Sequence, residues 1–158
     1  MTINKKIPDP IKIDEKHHVE EPFLQQLEEL GWTVKRLEQT QLPQDSERDN
    51  FAQVVILPEL RRALKKINDW LEDDQIEEVI RRITTFPGNS LIENNRHVLN
   101  LLLENTSVSV NRKTGERSPT VRYIDFDHPE NNSFLAISQF KVRVPGTEHH
   151  IVPDIVLF

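Results

Sequence analysis

The chain changes its hydrophobic period once, and this change constrains its fold more than any other feature. Up to about Glu104 the apolar residues recur at helical spacing, and after Asn105 they alternate with polar residues as they do in strands. No internal repeat accompanies the change. Helices followed by a cluster of strands are typical of an α+β domain, so we predict an antiparallel or mixed sheet flanked by helices.

Four helices are predicted before this change. The first occupies residues 17–31 and buries an apolar stripe formed by Val19, Phe23, Leu24, Leu27 and Leu30. The other three lie within a helical segment, residues 51–104, whose last helix begins after Asn89 or Ser90 and turns Leu91 inward. A polar loop, residues 38–50, precedes this segment.

The alternating part of the chain predicts a hairpin and two longer strands. Residues 113–116 form the hairpin turn, and the longer strands cover residues 134–144 and 151–158, joined through Pro145 and Gly146. Asp125 and Asp127 lie just before Pro129, and we interpret them as turn or structural acids.

The composition fits one cytoplasmic domain. A chain of 158 residues, 36% hydrophobic and 29% charged, can bury a single core, and we predict a flexible leader at residues 1–16 and one domain at residues 17–158. The lack of cysteine, of a signal peptide and of a long apolar span argues for the cytoplasm and against a membrane. The net charge of −6 predicts weak DNA binding by the chain alone.

Asp154 is the acid whose position suggests chemistry. It follows Pro153, which cannot donate to a sheet ladder, and precedes an apolar run at residues 155–158. A carboxylate brought into apolar surroundings needs a partner or a cation, so Asp154 is a candidate ligand for a hard metal. A turn or strand-edge aspartate is the alternative on local sequence.

Three stretches carry a family resemblance. They are residues 91–97 (LIENNRH), residues 123–134 (YIDFDHPENNSF) leading to residues 138–140 (SQF), and residues 153–158 (PDIVLF). In this order they resemble the amino-terminal nuclease region of the restriction (motor) subunit of type I restriction-modification enzymes. In that family the Pro-Asp strand opens a PD-(D/E)xK nuclease motif in a restriction-endonuclease-like fold.

The resemblance implies Mg²⁺-dependent cleavage of double-stranded DNA within a larger complex. The implied partners are the modification and specificity subunits, the second of which reads the DNA site. ATP belongs to downstream translocase domains in that family, and this sequence has no phosphate-cradling glycine loop.

The resemblance also implies that an acid on the first helix joins Asp154 at the metal. We expect Glu20 ahead of Glu21, because Glu20 shares a helix face with Leu24 and Leu27. The Glu-x-Lys half of the motif, which supplies another ligand and the lysine, is absent from this sequence. The predicted nuclease domain is therefore incomplete at its C-terminus, and the chain alone is expected to be inactive.

Supporting roles fall to polar residues elsewhere. Gln139 is a candidate for hydrogen bonding to a site ligand or to DNA, with a satisfied strand glutamine as the alternative, and His150 is a candidate for shaping the mouth of the cleft. Two columns of like charge at i and i+4 form a candidate phosphate-contacting face: Arg61, Arg62, Lys65 and Lys66. Glu77 and Glu78 lie four residues before Arg81 and Arg82, and we expect the glutamates to neutralise the two arginines.

Two functions from different classes remain open. The first is the DNA-cleaving domain of a type I restriction subunit. The second is a non-catalytic docking module whose helical segment, residues 51–104, binds a partner protein while the strands serve as scaffold. Replacement of Asp154 separates them, since only the first function needs its carboxylate.

Overall fold

The computed structural model of the chain describes residues 16–158. After a π-helical turn at Lys16–Glu20, four α-helices lie at Glu21–Glu29 (α1), Leu57–Ile67 (α2), Asp73–Thr84 (α3) and Leu91–Glu104 (α4). The strands of this part of the chain are Thr33–Arg36 (β1), Thr106–Ser107 (β2), Thr120–Val121 (β3), Leu135–Ser138 (β4), Val142–Arg143 (β5), His150–Ile151 (β6) and Ile155–Leu157 (β7). The predicted α+β class is confirmed. The predicted leader, residues 1–16, lies almost wholly outside the described residues.

A small mixed sheet with the order β1-β4-β7 positions the later part of the chain. The central strand β4 is buried at all four residues, runs parallel to β1 and pairs antiparallel with β7. Because side chains alternate along a strand, Leu135 and Ile137 face one side of the sheet and Ala136 faces the other. Helix α1 packs against Ala136 through Leu24 and Leu27, since alanine leaves room for a helix to approach closely.

The opposite side of the sheet is covered by the chain that leads into α2. Leu135 and Ile137 pack there against Leu37, Ile56 and Phe140. A separate core joins α2 and α3 to the β2–β3 ribbon, and it consists of Leu64, Leu71, Ile76, Val79, Ile80, Val108, Val121 and Tyr123. The sheet that carries the candidate site and the helical segment therefore each have a core of their own.

The two long predicted strands are both broken. Gln139 adopts a left-handed conformation with φ of 56°, and the chain leaves the central sheet after β4. It then forms β5 in a separate two-stranded ribbon with β6. The segment predicted at residues 151–158 divides in the same way into β6 and β7 around Pro153. Leu135 and Ile137 share one core with Phe140 and Val142, although positions of odd and even number would face opposite sides of a regular strand. The break at Gln139 allows both pairs to face the same core.

Two predicted helix faces need correction. In the first helix Leu24 and Leu27 are buried as predicted, but Val19 and Leu30 are 59% and 77% exposed and Phe23 is also exposed. Val19 lies in the π-helical turn and Leu30 follows the last helical residue, so neither keeps the phase of α1.

Helix α4 begins after Ser90, as predicted, and the Ser90 hydroxyl accepts a hydrogen bond from the Glu93 backbone N–H at 3.2 Å. Leu91 is 76% exposed, against the prediction, because contact with the core is made by the later turns through Leu101 and Leu102. No helix among residues 16–158 is long and apolar enough to cross a membrane.

Candidate functional site

Three predicted site residues, far apart in the sequence, meet where β4 ends. Glu20 closes the π-helical turn, Gln139 follows β4, and Asp154 precedes β7. The Gln139 side chain donates from Nε2 to Glu20 Oε2 at 3.3 Å, and the Gln139 backbone N–H donates to the Asp154 carbonyl at 2.7 Å. Gln139 thus connects the helical acid with the strand that carries the second acid.

The strand register explains why Asp154 reaches this place. Ser138 pairs with Ile155 across the antiparallel β4–β7 ladder, so the residues just beyond, Gln139 and Asp154, lie opposite each other. Beyond the last ladder pair, the Phe140 N–H also donates to the Pro153 carbonyl, at 3.1 Å. Pro153 accepts in this pair and needs no N–H for it.

The side chain of Asp154 is exposed, contrary to the sequence argument that placed it in apolar surroundings. The edge position of β7 accounts for this, because only β4 covers the strand within the described sheet. The carboxylate therefore has no burial cost to offset. What the position offers is two oxygens open to water or to a cation.

Gln139 is held in a backbone conformation that residues other than glycine rarely adopt. Its φ of 56° costs on the order of 1–3 kcal/mol and persists only where surrounding contacts enforce it. Such outliers concentrate at functional sites, and this one lies between the two candidate acids. The left-handed turn ends the β4 ladder and separates β4 from β5.

Glu20 and Glu21 have different partners. Glu21 forms an ion pair with Arg36 at 2.8 Å, and Arg36 also binds Glu28 at 2.7 Å. The hydrogen bonds that Arg36 donates to Glu28 and to Glu21, the bond to Glu28 being the largest cause, raise the pKa of the Arg36 guanidinium. The bond from Arg36 also lowers the pKa of Glu28. Glu21 pairs with Arg36, whereas Glu20 contacts Gln139. The geometry therefore favours Glu20 over Glu21 as the helical acid of the candidate site.

The two acids match Mg²⁺ in type but not in number. Carboxylate oxygens are the ligands that a hard cation prefers, and the open position of Asp154 suits an ion that keeps several waters. Among the described residues, however, no group of three or more His, Cys, Asp or Glu side chains is placed to hold a metal ion.

His150 lies in a different contact from the one expected. It belongs to the β5–β6 ribbon, and its ring packs edge-on against Phe51 with centroids 5.4 Å apart. Lys141 also lies over the Phe51 ring, with Nζ 5.0 Å from the centroid. The described contacts of His150 thus join the ribbon to the loop before α2.

The predicted phosphate-contacting face on α2 is already engaged with protein oxygens. Arg61 pairs with Glu77 at 2.6 Å, Arg62 bridges Glu47 and Glu59, and Lys66 donates to the Glu130 carbonyl at 2.8 Å. Lys65 donates to the Leu71 carbonyl and lies 3.9 Å from Asp73. A DNA phosphate would have to compete with these partners for each cation.

One helical charge pair differs from expectation. Arg82 pairs with Glu78 four residues earlier, as predicted. Glu77 does not neutralise Arg81, because α3 packs beside α2 and Glu77 pairs with Arg61 instead. Packing of α3 against α2 brings Arg61 close to Glu77, and the spacing within α3 cannot predict this contact.

Asp125 has the structural role that its sequence position indicated. Its buried carboxylate accepts hydrogen bonds from Asn131 Nδ2 at 2.9 Å and from the His128 N–H at 3.1 Å. These bonds, with that from Asn131 the largest cause, lower the pKa of Asp125. The Asp125 carboxylate therefore stabilises its own turn. Asp127 is exposed and forms an ion pair with Arg122 at 3.1 Å.

Sequence reasoning missed Gln41, which lies in the loop predicted at residues 38–50. Its side chain is buried and donates to the Gln139 carbonyl at 2.6 Å. A glutamine in a polar loop carries no signal that it will contact a residue so far along the chain.

Comparison with known proteins shows the family to which the chain belongs. Residues 12–158 match the family described as type I restriction enzyme R protein N terminus, which covers nearly the whole chain. The chain belongs to that family, and the predicted relationship is confirmed.

Two curated relatives agree with this assignment. The chain is 27% identical over 144 residues to the type I restriction enzyme HindI endonuclease subunit of Haemophilus influenzae, with 90% of this chain covered. It is 23% identical over 156 residues to the putative type I restriction enzyme MjaIXP endonuclease subunit of Methanocaldococcus jannaschii, with 98% covered. The matched regions span only 14% and 15% of those relatives' own lengths.

Proposed function

We propose that this chain supplies part of the DNA-cleaving site of a type I restriction enzyme, with Asp154 and Glu20 as metal-binding acids. The observation that supports the proposal is their junction through Gln139 at the end of the central strand. The relatives named as endonuclease subunits support the class of activity. Mg²⁺ is the proposed cofactor, double-stranded DNA the substrate, and the cytoplasm the location.

Each residue has a separate proposed task. Asp154 would offer its exposed carboxylate to the ion, and Glu20 would contribute a second carboxylate from the π-helical turn, where its side chain contacts Gln139. Gln139 orients Glu20 by donating to one of its two oxygens, and the second oxygen would serve as the ligand. When bound, Mg²⁺ polarises the phosphodiester and lowers the pKa of a coordinated water.

The site needs groups that these residues do not provide. In the resembled family a Glu-x-Lys segment contributes a further ligand and the lysine that positions the attacking water, and the sequence contains neither at a matching place. We propose that ATP hydrolysis, DNA recognition and most DNA binding belong to other domains and to the modification and specificity subunits. The net charge of −6 is consistent with a domain to which DNA is delivered by others.

The decisive test is Asp154→Asn in the assembled restriction enzyme that carries this region. We expect loss of DNA cleavage by at least about a hundredfold, because an amide cannot replace the anionic ligand, with ATP hydrolysis unchanged. Agarose-gel cleavage of a plasmid with one recognition site and a phosphate-release assay measure the two activities. Retention of full cleavage by Asp154→Asn would refute the metal-ligand role.

A second candidate function, docking of a partner protein, is favoured by one surface. Helix α4 exposes four large apolar residues, Leu91, Ile92, Leu99 and Leu103, and exposed apolar patches can mark protein-interaction sites. A pure docking module would tolerate Asp154→Asn without loss of cleavage, so the same variant separates the two functions.

A further inference from the structure

The break between β4 and β5 is held from outside the sheet by one buried side chain. Gln41 donates from Nε2 to the Gln139 carbonyl at 2.6 Å, and its Oε1 accepts from the Lys141 N–H at 3.3 Å. The amide therefore binds the backbone on both sides of Phe140. It occupies the place that a neighbouring strand would have if β4 continued.

The amide of Gln41 has little freedom to do anything else. Its side chain is 6% exposed, and its Nε2 also donates to the Glu38 carbonyl at 2.8 Å. The Gln41 backbone N–H donates to the same Glu38 carbonyl at 3.0 Å. Both donors and the acceptor of the amide are used, so its orientation is determined by the protein.

What Gln41 holds is the orientation of Gln139. The φ of 56° at Gln139 is unfavourable by itself, and the carbonyl bond to Gln41 is one of the contacts that compensates for it. In this conformation the Gln139 side chain reaches Glu20 while its N–H reaches the Asp154 carbonyl. A regular β conformation at Gln139 would carry β4 onward and turn the side chain to another direction.

We propose that Gln41 is a positioning residue for the candidate nuclease site, acting through Gln139 on the relative placement of Glu20 and Asp154. The inference rests on the proposed function. Gln41 itself touches neither acid and has no catalytic role. Its contribution is to hold Gln139 in the conformation that contacts both Glu20 and the Asp154 carbonyl, since small displacements of groups in a catalytic site are costly in rate.

Gln41→Glu is the most informative variant, because it keeps the size of the side chain and its acceptor for Lys141 N–H. It removes both donors and places a carboxylate oxygen against the Gln139 carbonyl. In the assembled enzyme we expect a roughly tenfold rise both in the Mg²⁺ concentration for half-maximal DNA cleavage and in the Mg²⁺ dissociation constant measured by isothermal titration calorimetry. ATP hydrolysis is expected to stay unchanged. Gln41→Met, which removes the bonds without adding charge, is measured in parallel and should shift the Mg²⁺ dependence in the same direction.

Asn68→Asp provides a matched control. Asn68 is another buried amide that joins two backbone groups, donating to the Arg122 carbonyl at 2.8 Å and accepting from the Arg122 N–H at 2.9 Å. It directly follows α2, where its Nδ2 also donates to the Leu64 carbonyl at 3.1 Å. Asn68→Asp loses the same chemical group and should lower thermal stability without changing the Mg²⁺ dependence of cleavage.

The outcomes are separable. If Gln41→Glu and Gln41→Met keep the parental Mg²⁺ dependence, or shift it no more than Asn68→Asp does, Gln41 is only structural and the inference is overturned. If Asp154→Asn keeps full cleavage, the proposed function itself fails, whatever the Gln41 variants show. If Asp154→Asn abolishes DNA cleavage and both Gln41 variants, but not Asn68→Asp, shift the Mg²⁺ dependence, the proposed function and the role of Gln41 are both supported.

Discussion

Arg48 is the residue whose burial is least expected from its type. Its side chain is 2% exposed, and its guanidinium donates to Ser46 Oγ at 2.7 Å and to the Gln53 and Lys141 carbonyls at 3.0 Å each. The guanidinium also lies 3.8 Å from the centroid of the Phe140 ring. Burial lowers the pKa of Arg48. The charge is solvated by protein dipoles and an aromatic face in place of water.

The first prediction concerns this residue. Arg48→Met should lower the free energy of unfolding by about 2–4 kcal/mol, because two buried carbonyls and a hydroxyl lose their donor. Urea denaturation followed by circular dichroism measures the change. Arg61→Met is the matched control, since Arg61 makes an exposed ion pair with Glu77 and its loss should cost less than about 1 kcal/mol. Equal losses in the two variants would contradict the role given to Arg48.

At the scale of elements, Glu47 links the sheet to the helical segment. It binds Lys35 on β1 and Arg62 on α2, the latter at 2.9 Å, and these bonds, with that from Arg62 the largest cause, lower the pKa of Glu47 to about 2. Glu47 has a φ of 59° and follows the short 3₁₀ turn at Pro43–Ser46. One carboxylate thus connects three elements that lie apart in the sequence.

The lowered pKa predicts a direction for acid stability. In the unfolded chain Glu47 titrates near its ordinary value of 4.5, so its contribution is present above that pH. The contribution is lost as pH falls through the folded-state value of about 2. The side chain is one third exposed, so we expect solvent screening to limit it to about 1 kcal/mol. Thermal melts of the parent and Glu47→Gln should differ at pH 6 and converge toward pH 2, and a constant difference would argue against the linkage.

At the scale of the whole molecule, net charge determines how strongly the chain binds DNA by itself. The net charge is −6, and the cations of α2 are already paired with protein oxygens. We predict that the chain alone binds a non-specific 20-base-pair duplex more weakly than about 10⁻⁴ M at 150 mM salt. Fluorescence anisotropy of a labelled duplex measures this. Micromolar binding with a steep salt dependence would show that a basic face operates without partners.

The element pattern was largely predictable because it depends on local signals. Helix α4 was correctly placed behind Ser90, whose hydroxyl caps it, and the helical spacing of Ile76, Val79 and Ile80 marked the buried face of α3. The exposure of Leu91 and Val19 was not predictable in the same way. Which turn of a helix meets the core depends on where the neighbouring elements lie.

Asp154 and Glu20 were named from the sequence and from the family resemblance, but how they are connected was not predictable. In the structure Gln139 contacts both, Glu20 through its side chain and Asp154 through the Asp154 carbonyl. The surroundings of Asp154 were predicted wrongly, because apolar neighbours in sequence do not bury a residue on an edge strand. Whether these acids bind metal stays a prediction that Asp154→Asn tests.

The sequence by itself determined the α+β class, the family and the order of the elements, because hydrophobic period, capping residues and short motifs are properties of neighbouring residues. Only the tertiary structure decided that β4 stops at Gln139, that Gln41 and Arg48 hold the chain there, and that Glu20 lies beside this turn. These features depend on hydrogen bonds between residues about a hundred positions apart, and no local pattern encodes which distant partner a buried amide or guanidinium will find.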